Sequence, residues 1–265
     1  MGTTKTEHTN IFQTCSGLIS TSLLNPDARS FAGIFLIPVF LILTLLLPMD
    51  NLHAQDYKDE REEMVQSQIR SRGVKSQRVL EAMRTVPRHL FVPERVAQLA
   101  YSDRPLTIGH DQTISQPFIV AFMTDNLDVK PGEKVLEIGS GSGYQAAVLA
   151  EMGVEVWTIE IVPELAEMAE ENLKKAGYDD VNVKCGDGYK GWPEEAPFDA
   201  VIITAAPESI PDALVEQLKV GGTMILPVGP VNSVQSLKKI IKKEDGIKQN
   251  TLIPVRFVPM VKPSS

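Results

Sequence analysis

Cysteine is almost absent from this 265-residue chain, and Cys15 and Cys185 provide neither a disulfide framework nor the thiolate quartet of a structural zinc site. Histidine is nearly as scarce. His8, His53, His89 and His110 are scattered without ligand spacing, so no metal is expected. Positive charge is also short: 26 Lys and Arg against 34 Asp and Glu leave a net charge of −8. That balance excludes the concentrated basic surface needed for sequence-independent phosphate binding, and no nucleic-acid partner is expected. The lysines between Leu237 and Lys248 form the only basic cluster. With Glu244 and Asp245 among them, they read as a solvated hairpin or edge strand.

Long apolar runs are missing with one exception. Residues 31–47 are almost wholly apolar and uncharged, interrupted by Pro38 and bounded by Pro48. The run is short for a membrane span and long for a core helix. A signal-peptide core or a marginal anchor fits it, with Leu52-His53-Ala54 as a small-residue cleavage site before Gln55. The preceding residues are long and weakly basic for a secretory leader, and Arg29 on one side against Lys58 and Arg61 on the other gives little orientation bias. A third reading starts translation at Met49 or Met64. Residues 1–55 are therefore assigned to an N-terminal extension, with membrane contact through residues 31–48 left open, and residues 56–265 to one folded domain. A hydrophobic content of 43% is enough for its core.

Within that domain the chemistry-bearing feature is Val135-Leu136-Glu137-Ile138 running into Gly139-Ser140-Gly141-Ser142-Gly143 and then a helical pattern. The spacing is G-x-G-x-G. A dinucleotide fingerprint would need its last glycine at Tyr144, so a cofactor without a pyrophosphate is favoured and a nicotinamide oxidoreductase is disfavoured. A second strand, Val154–Ile159, ends on Glu160, 21 residues beyond Gly139, where a carboxylate accepts from ribose hydroxyls. S-adenosyl-L-methionine suits this arrangement. Its ribose meets Glu160 while its methionine carboxylate lies near the glycine turn and the following helix N-terminus.

The rest alternates. Residues 56–72 and 77–83 read as helices forming an N-terminal cap, with Met64, Val65 and Ile69 on one face. Residues 87–117 read as an ordered loop region with one helix near 94–100, and 117–128 as a helix. Helices are then expected at 165–175 and 210–218, and strands at 181–184, 198–204 and 223–228. Two last strands, 234–242 and 252–258, resemble a closing hairpin. The fold expected is α/β, a doubly wound Rossmann-like sandwich. Its ligand edge would gather Gly139–Gly143, Glu160, Asp187 and residues 205–207.

The glycine motif, Trp157-Thr158-Ile159-Glu160, Gly186-Asp187-Gly188 and above all Thr113-Ile114-Ser115-Gln116-Pro117 together resemble the protein-L-isoaspartate (D-aspartate) O-methyltransferase family. So do residues 86–93, 205–207, 227–229 and 254–259, and the likeness spans about residues 58–262. It implies a class I S-adenosyl-L-methionine-dependent methyltransferase that esterifies the free α-carboxylate of isoaspartyl residues in damaged proteins and peptides, with D-aspartyl acceptance open. Ser115 is then the active-site serine, donating to the substrate carboxylate without a covalent intermediate. Gly139, Ser140, Gly141, Gly143 and Glu160 hold the cofactor, and Asp187 with Gly188 takes the adenine edge. Thr113, Gln116 and Arg256 face substrate. Simpler readings stand beside these: Ser115 as N-cap of the helix at Pro117, Gly186-Asp187-Gly188 as a plain turn, Arg256 in a surface ion pair, and His110-Asp111 in loop hydrogen bonds rather than an acid–base dyad. A small-molecule methyltransferase or a non-catalytic isoaspartyl-binding module are the alternative functions. A cytoplasmic location is expected, because the cofactor is made in the cytosol, with export to the periplasm or anchoring as the alternative; the oligomeric state is left open, a monomer being favoured.

Overall fold

The computed structural model describes residues 50–263 apart from Asn232, with side chains from Tyr57 onward. The apolar segment 31–48, with the leader, anchor and membrane-contact expectations placed on it, lies outside the described residues. Among the described residues, no helix is long and apolar enough to cross a membrane.

Helix α1 (Asp50–Glu63) runs through the 55/56 boundary drawn from composition and continues as a π-helical stretch, Met64–Ile69, then a 3-10 turn, Arg70–Arg72. The wider π turn bonds i to i+5 and so brings Met64 and Ile69 to the same face, where both are fully buried with Val65. Gly73, with φ +97°, ends the run. Helix α2 (Gln77–Thr85) starts at Ser76, whose hydroxyl accepts from the Val79 N–H, and buries Val79, Leu80, Ala82 and Met83. Two contacts tie the helices together: Glu62 pairs with Arg84 at 2.7 Å, and Arg61 Nε donates to the Arg84 carbonyl at 2.8 Å.

Residues 87–117 hold more structure than their prolines and glycines suggest. Besides 3-10 turns at Arg88–Phe91 and Glu94–Leu99, they contain an antiparallel hairpin of β1 (Leu106–Gly109) and β2 (Gln112–Ile114). His110 and Asp111 form its two-residue turn, both at positive φ (49° and 55°), the left-handed conformation that matches the right-handed twist of hairpin strands. The pair thus serves to reverse the chain.

Helix α3 (Pro117–Leu127) leads to a seven-stranded sheet built from β3 (Lys134–Ile138), β4 (Glu155–Glu160), β5 (Asn182–Cys185), β6 (Phe198–Ile203), β7 (Leu218–Val228), β8 (Gln235–Lys243) and β9 (Gly246–Val255). Their order is β5-β4-β3-β6-β7-β8-β9. The first five are parallel, and β8 and β9 close the edge as an antiparallel hairpin. Helices α4 (Tyr144–Glu151) and α5 (Pro163–Lys175) are the crossovers β3 to β4 and β4 to β5. Both faces are covered, which is why the central strands read as continuous apolar runs. Val135, Ala200 and Ile202 pack with the cap helices, α3 and α4, while Leu136, Ile138, Val201 and Ile203 pack on the other face with Leu214 of α6 (Asp212–Glu216). The chain leaves β5 and returns beside β3, so strand order reverses between β3 and β6. A ligand crevice belongs there.

Three boundaries differ from expectation. α6 is five residues, and β7 begins at Leu218, running through Gly221 (φ +86°) with a bulge that displaces its register against β6 between Phe198 and Ala200. β9 begins at Gly246, so most of the lysine-rich stretch is paired strand. Beyond β9, the chain pairs with Ala206: Ala206 N–H donates to the Val258 carbonyl (2.8 Å) and Met260 N–H to the Ala206 carbonyl (2.9 Å).

Candidate active site

A cleft enclosing roughly 960 Å³, part of it open to solvent, lies at the carboxyl ends of β3, β4 and β6. Its floor is the β3–α4 loop, residues 139–142, and its walls come from residues 112–115, from Glu160–Val162, and from residues 258–261 of the C-terminal stretch. Gly139, Gly141 and Gly143 all have positive φ (96°, 54° and 89°), so the loop needs glycine at each. They do different work. A Cβ on Gly139 would overlap Thr204 Oγ1, whereas Gly143 lies outside the lining and lets α5 approach, since a Cβ there would meet Leu173 at 3.1 Å and the Ala169 carbonyl at 3.2 Å.

Glu160 is 6% exposed and is held by the backbone. Its Oε2 accepts from Gly141 N–H (2.9 Å) and its Oε1 from Ile161 and Val162 N–H (2.9 and 3.1 Å). Oε2 keeps a lone pair available at the cleft. Beneath it lies a second acid absent from the expected set, Glu137. It is fully buried yet lines the cleft; Oε2 accepts from Thr158 Oγ1 (2.6 Å), which stands 2.7 Å from Ser140 Oγ, and Oε1 has no partner. Burial, reinforced by the nearby Glu160 charge and opposed by the Thr158 hydrogen bond, pushes its carboxyl up to about 8. The sequence signal was an acid inside an apolar strand, between Leu136 and Ile138.

On the opposite wall stand Thr113, exposed on β2, and Ser115, half-buried in the link to α3. Ser115 is not the cap of that helix. The N-cap position is Gln116, without a side-chain cap bond, and Pro117 occupies the first turn. Behind Ser115 lies Arg88, fully buried, whose Nε donates to the Ala100 carbonyl and whose Nη2 donates to the Ser115 carbonyl, both at 2.7 Å. Its pKa is lowered by burial.

Besides Gly143, three expected residues are outside the lining. Gln116 turns to Asp103, donating to its Oδ1 at 2.6 Å. Asp187 caps the turn Gly188–Lys190 by accepting from Tyr189 N–H at 3.0 Å, while Gly188 itself is buried in the lining, where a Cβ would overlap Ile138 Cγ2. Arg256 is exposed just past β9. Among the described residues, no group of three or more His, Cys, Asp or Glu is arranged around a metal site.

The parallel sheet, the glycine loop at its switch point and the acid ending the next strand define a Rossmann-like class I methyltransferase. Comparison with known proteins narrows this class. The sequence model described as Protein-L-isoaspartate(D-aspartate) O-methyltransferase matches residues 59–265, and the chain belongs to that family. A protein-L-isoaspartate O-methyltransferase of Gloeobacter violaceus is 58% identical over 199 residues, 75% of this chain and 97% of the relative. Another of Opitutus terrae is 53% identical over 224 residues, 83% of this chain and 96% of the relative. Among solved structures, a protein-L-isoaspartate O-methyltransferase of Plasmodium falciparum in complex with S-adenosyl-L-homocysteine superposes with a TM-score of 0.66 at 27% identity, covering 77% of this chain and 99% of that one.

Proposed function

We infer that the chain is a protein repair methyltransferase, which moves the methyl group of S-adenosyl-L-methionine to the free α-carboxylate of L-isoaspartyl residues in damaged proteins and peptides. The observation that carries the site assignment is that Ser115, Glu160 and the glycine loop line one cleft. The lining fits the cofactor: the floor carries no side chain at Gly139 or Gly141, Gly188 admits none on the wall, and the buried Glu137 Oε1 has no protein partner.

S-adenosyl-L-methionine, when bound, supplies a sulfonium methyl open to in-line displacement. Glu160 would accept from the ribose hydroxyls, residues 139–141 would carry the methionine end, and Gly188 would let the backbone approach the adenine beside Asp187. A carboxylate acceptor is ionised about three pH units below neutrality, so no base is needed. What remains is alignment and exclusion of water. The Ser115 hydroxyl donates to one acceptor oxygen and so turns the other toward the methyl, Thr113 lines the acceptor side, and Gln116 and Arg256 serve the periphery. The methyl ester then closes to a succinimide and reopens partly as aspartate.

Residues 56–265 constitute the methyltransferase domain and 1–55 an extension. We place the domain in the cytoplasm, where its cofactor is made, as a monomer. The repair reading is tested by cycling an isoaspartyl peptide with the protein and S-adenosyl-L-methionine and following products by chromatography. Accumulation of the aspartyl peptide is expected. Methylation confined to small-molecule acceptors would replace this reading with another class I activity.

A further inference from the structure

Arg88 is a guanidinium with no exposed surface and no carboxylate partner. A cation buried without a counter-ion is costly, and hydrogen bonds to carbonyls recover only part of that cost. Its contacts join three pieces of chain. Nε holds the Ala100 carbonyl, at the end of the 3-10 segment; Nη2 holds the Ser115 carbonyl; and the guanidinium carbon lies 4.7 Å from the ring centroid of Tyr144, the first residue of α4 after the glycine loop. Nη1 has no partner. One side chain thus links the acceptor wall of the cleft to the start of the helix beneath its cofactor floor. The outer side of the same link is held separately, through Asp103, which accepts from Gln116 and pairs with Arg72 at 3.1 Å.

We propose that Arg88 is a positioning residue for methyl transfer, fixing the Ser115 backbone relative to the glycine loop so that the Ser115 hydroxyl meets the acceptor carboxylate at the right distance from the cofactor. The proposal rests on the assignment of Ser115 as the acceptor contact. In-line displacement tolerates little error, a shift of about 1 Å costing on the order of 100-fold. A lysine at 88 can reach one carbonyl but cannot span two in the fixed plane of a guanidinium. The two carbonyls would then be free to separate.

The test is a cycle of Arg88→Lys, Arg88→Gln, Ser115→Ala and the double variant Arg88→Lys with Ser115→Ala, made in the full chain. Each is measured for kcat and KM with an isoaspartyl peptide, for S-adenosyl-L-homocysteine affinity, and for thermal midpoint. Arg88→Lys is expected to lower kcat by about tenfold or more with cofactor affinity changed less than about threefold, Arg88→Gln to lower kcat further, and the double variant to be scarcely slower than Ser115→Ala alone, because both changes remove one alignment. If Ser115→Ala slows turnover but Arg88→Lys does not, or if their effects multiply, Ser115 keeps its role and the proposal for Arg88 is overturned. Wild-type turnover in Ser115→Ala removes the Ser115 assignment itself, and the proposal with it. Loss of fold or of cofactor affinity in both Arg88 variants makes the residue structural and equally overturns the proposal.

Discussion

Glu137 keeps its proton to about pH 8 in the folded protein against 4.5 as the ordinary value, so between these limits the unfolded chain has released a proton that the fold still holds. Its contribution to stability is therefore complete below about pH 4.5 and declines as pH rises toward 8. His89 works in the opposite sense. Stacked on Tyr57 and 2.6 Å from the Tyr101 hydroxyl, it is pushed down to about 4, mainly by burial, so stability from its neutral form is present above pH 6.5 and is lost as pH falls toward 4. Replacing Glu137 by Gln should flatten the decline of the thermal midpoint between pH 5 and 8 while leaving the acid side unchanged; parallel curves for the two proteins would contradict the assignment. Gly188→Ala forces a methyl into Ile138 and should destabilise the fold by about 1–3 kcal/mol and weaken S-adenosyl-L-homocysteine binding, measured by denaturant titration and calorimetry. At this scale the glycine loop and Glu160 were legible as parts of the ligand edge because their spacing carries the chemistry, whereas Ser115 was reached through the family resemblance. Glu137 and Arg88 were not legible, since their roles depend on burial among residues distant in sequence. Asp187, Gln116 and Arg256 were placed by motif alone, and their side chains or exposure set them outside the lining.

Among the elements, the hairpin β1–β2 was hidden from the residue pattern. Its strands are four and three residues long, too short for alternation to register, and its turn is His110-Asp111 where Asn-Gly would have announced it. Two non-glycine residues at positive φ cost stability. His110→Asn with Asp111→Gly should raise stability by about 0.5–1 kcal/mol and leave kcat within about twofold; a large loss of turnover would show that these side chains do more than turn the chain. The parallel strands were legible because burial on both faces writes continuous apolar runs, and β8–β9 because turn residues separate two β-rich stretches. The length of α6 and the start of β7 were not: Gly221-Gly222 signals a break, yet the strand passes through it as a bulge. The π-helical stretch likewise escaped, since a single wide turn scarcely disturbs a 3.6-residue period.

At the level of the whole molecule, the cleft depends on sheet, hairpin, α3 and C-terminal stretch together, which explains why a family resemblance spread over about 200 residues was more informative than the glycine motif alone. The extension, residues 1–55, is a separate question. Cell fractionation with an antibody to the folded domain should recover the protein in the cytosol; recovery of a chain beginning near residue 55 from a periplasmic fraction would reverse the placement and leave the enzyme without its cofactor supply. The central claim is that this cleft methylates isoaspartyl carboxylates, and labelled methyl transfer from S-adenosyl-L-methionine to an isoaspartyl peptide, run beside its normal aspartyl twin with Ser115→Ala as control, tests it most directly. Base-labile label on the isoaspartyl peptide alone, reduced by about tenfold or more in the control, is the predicted result. Bound cofactor with no label on either peptide would contradict it.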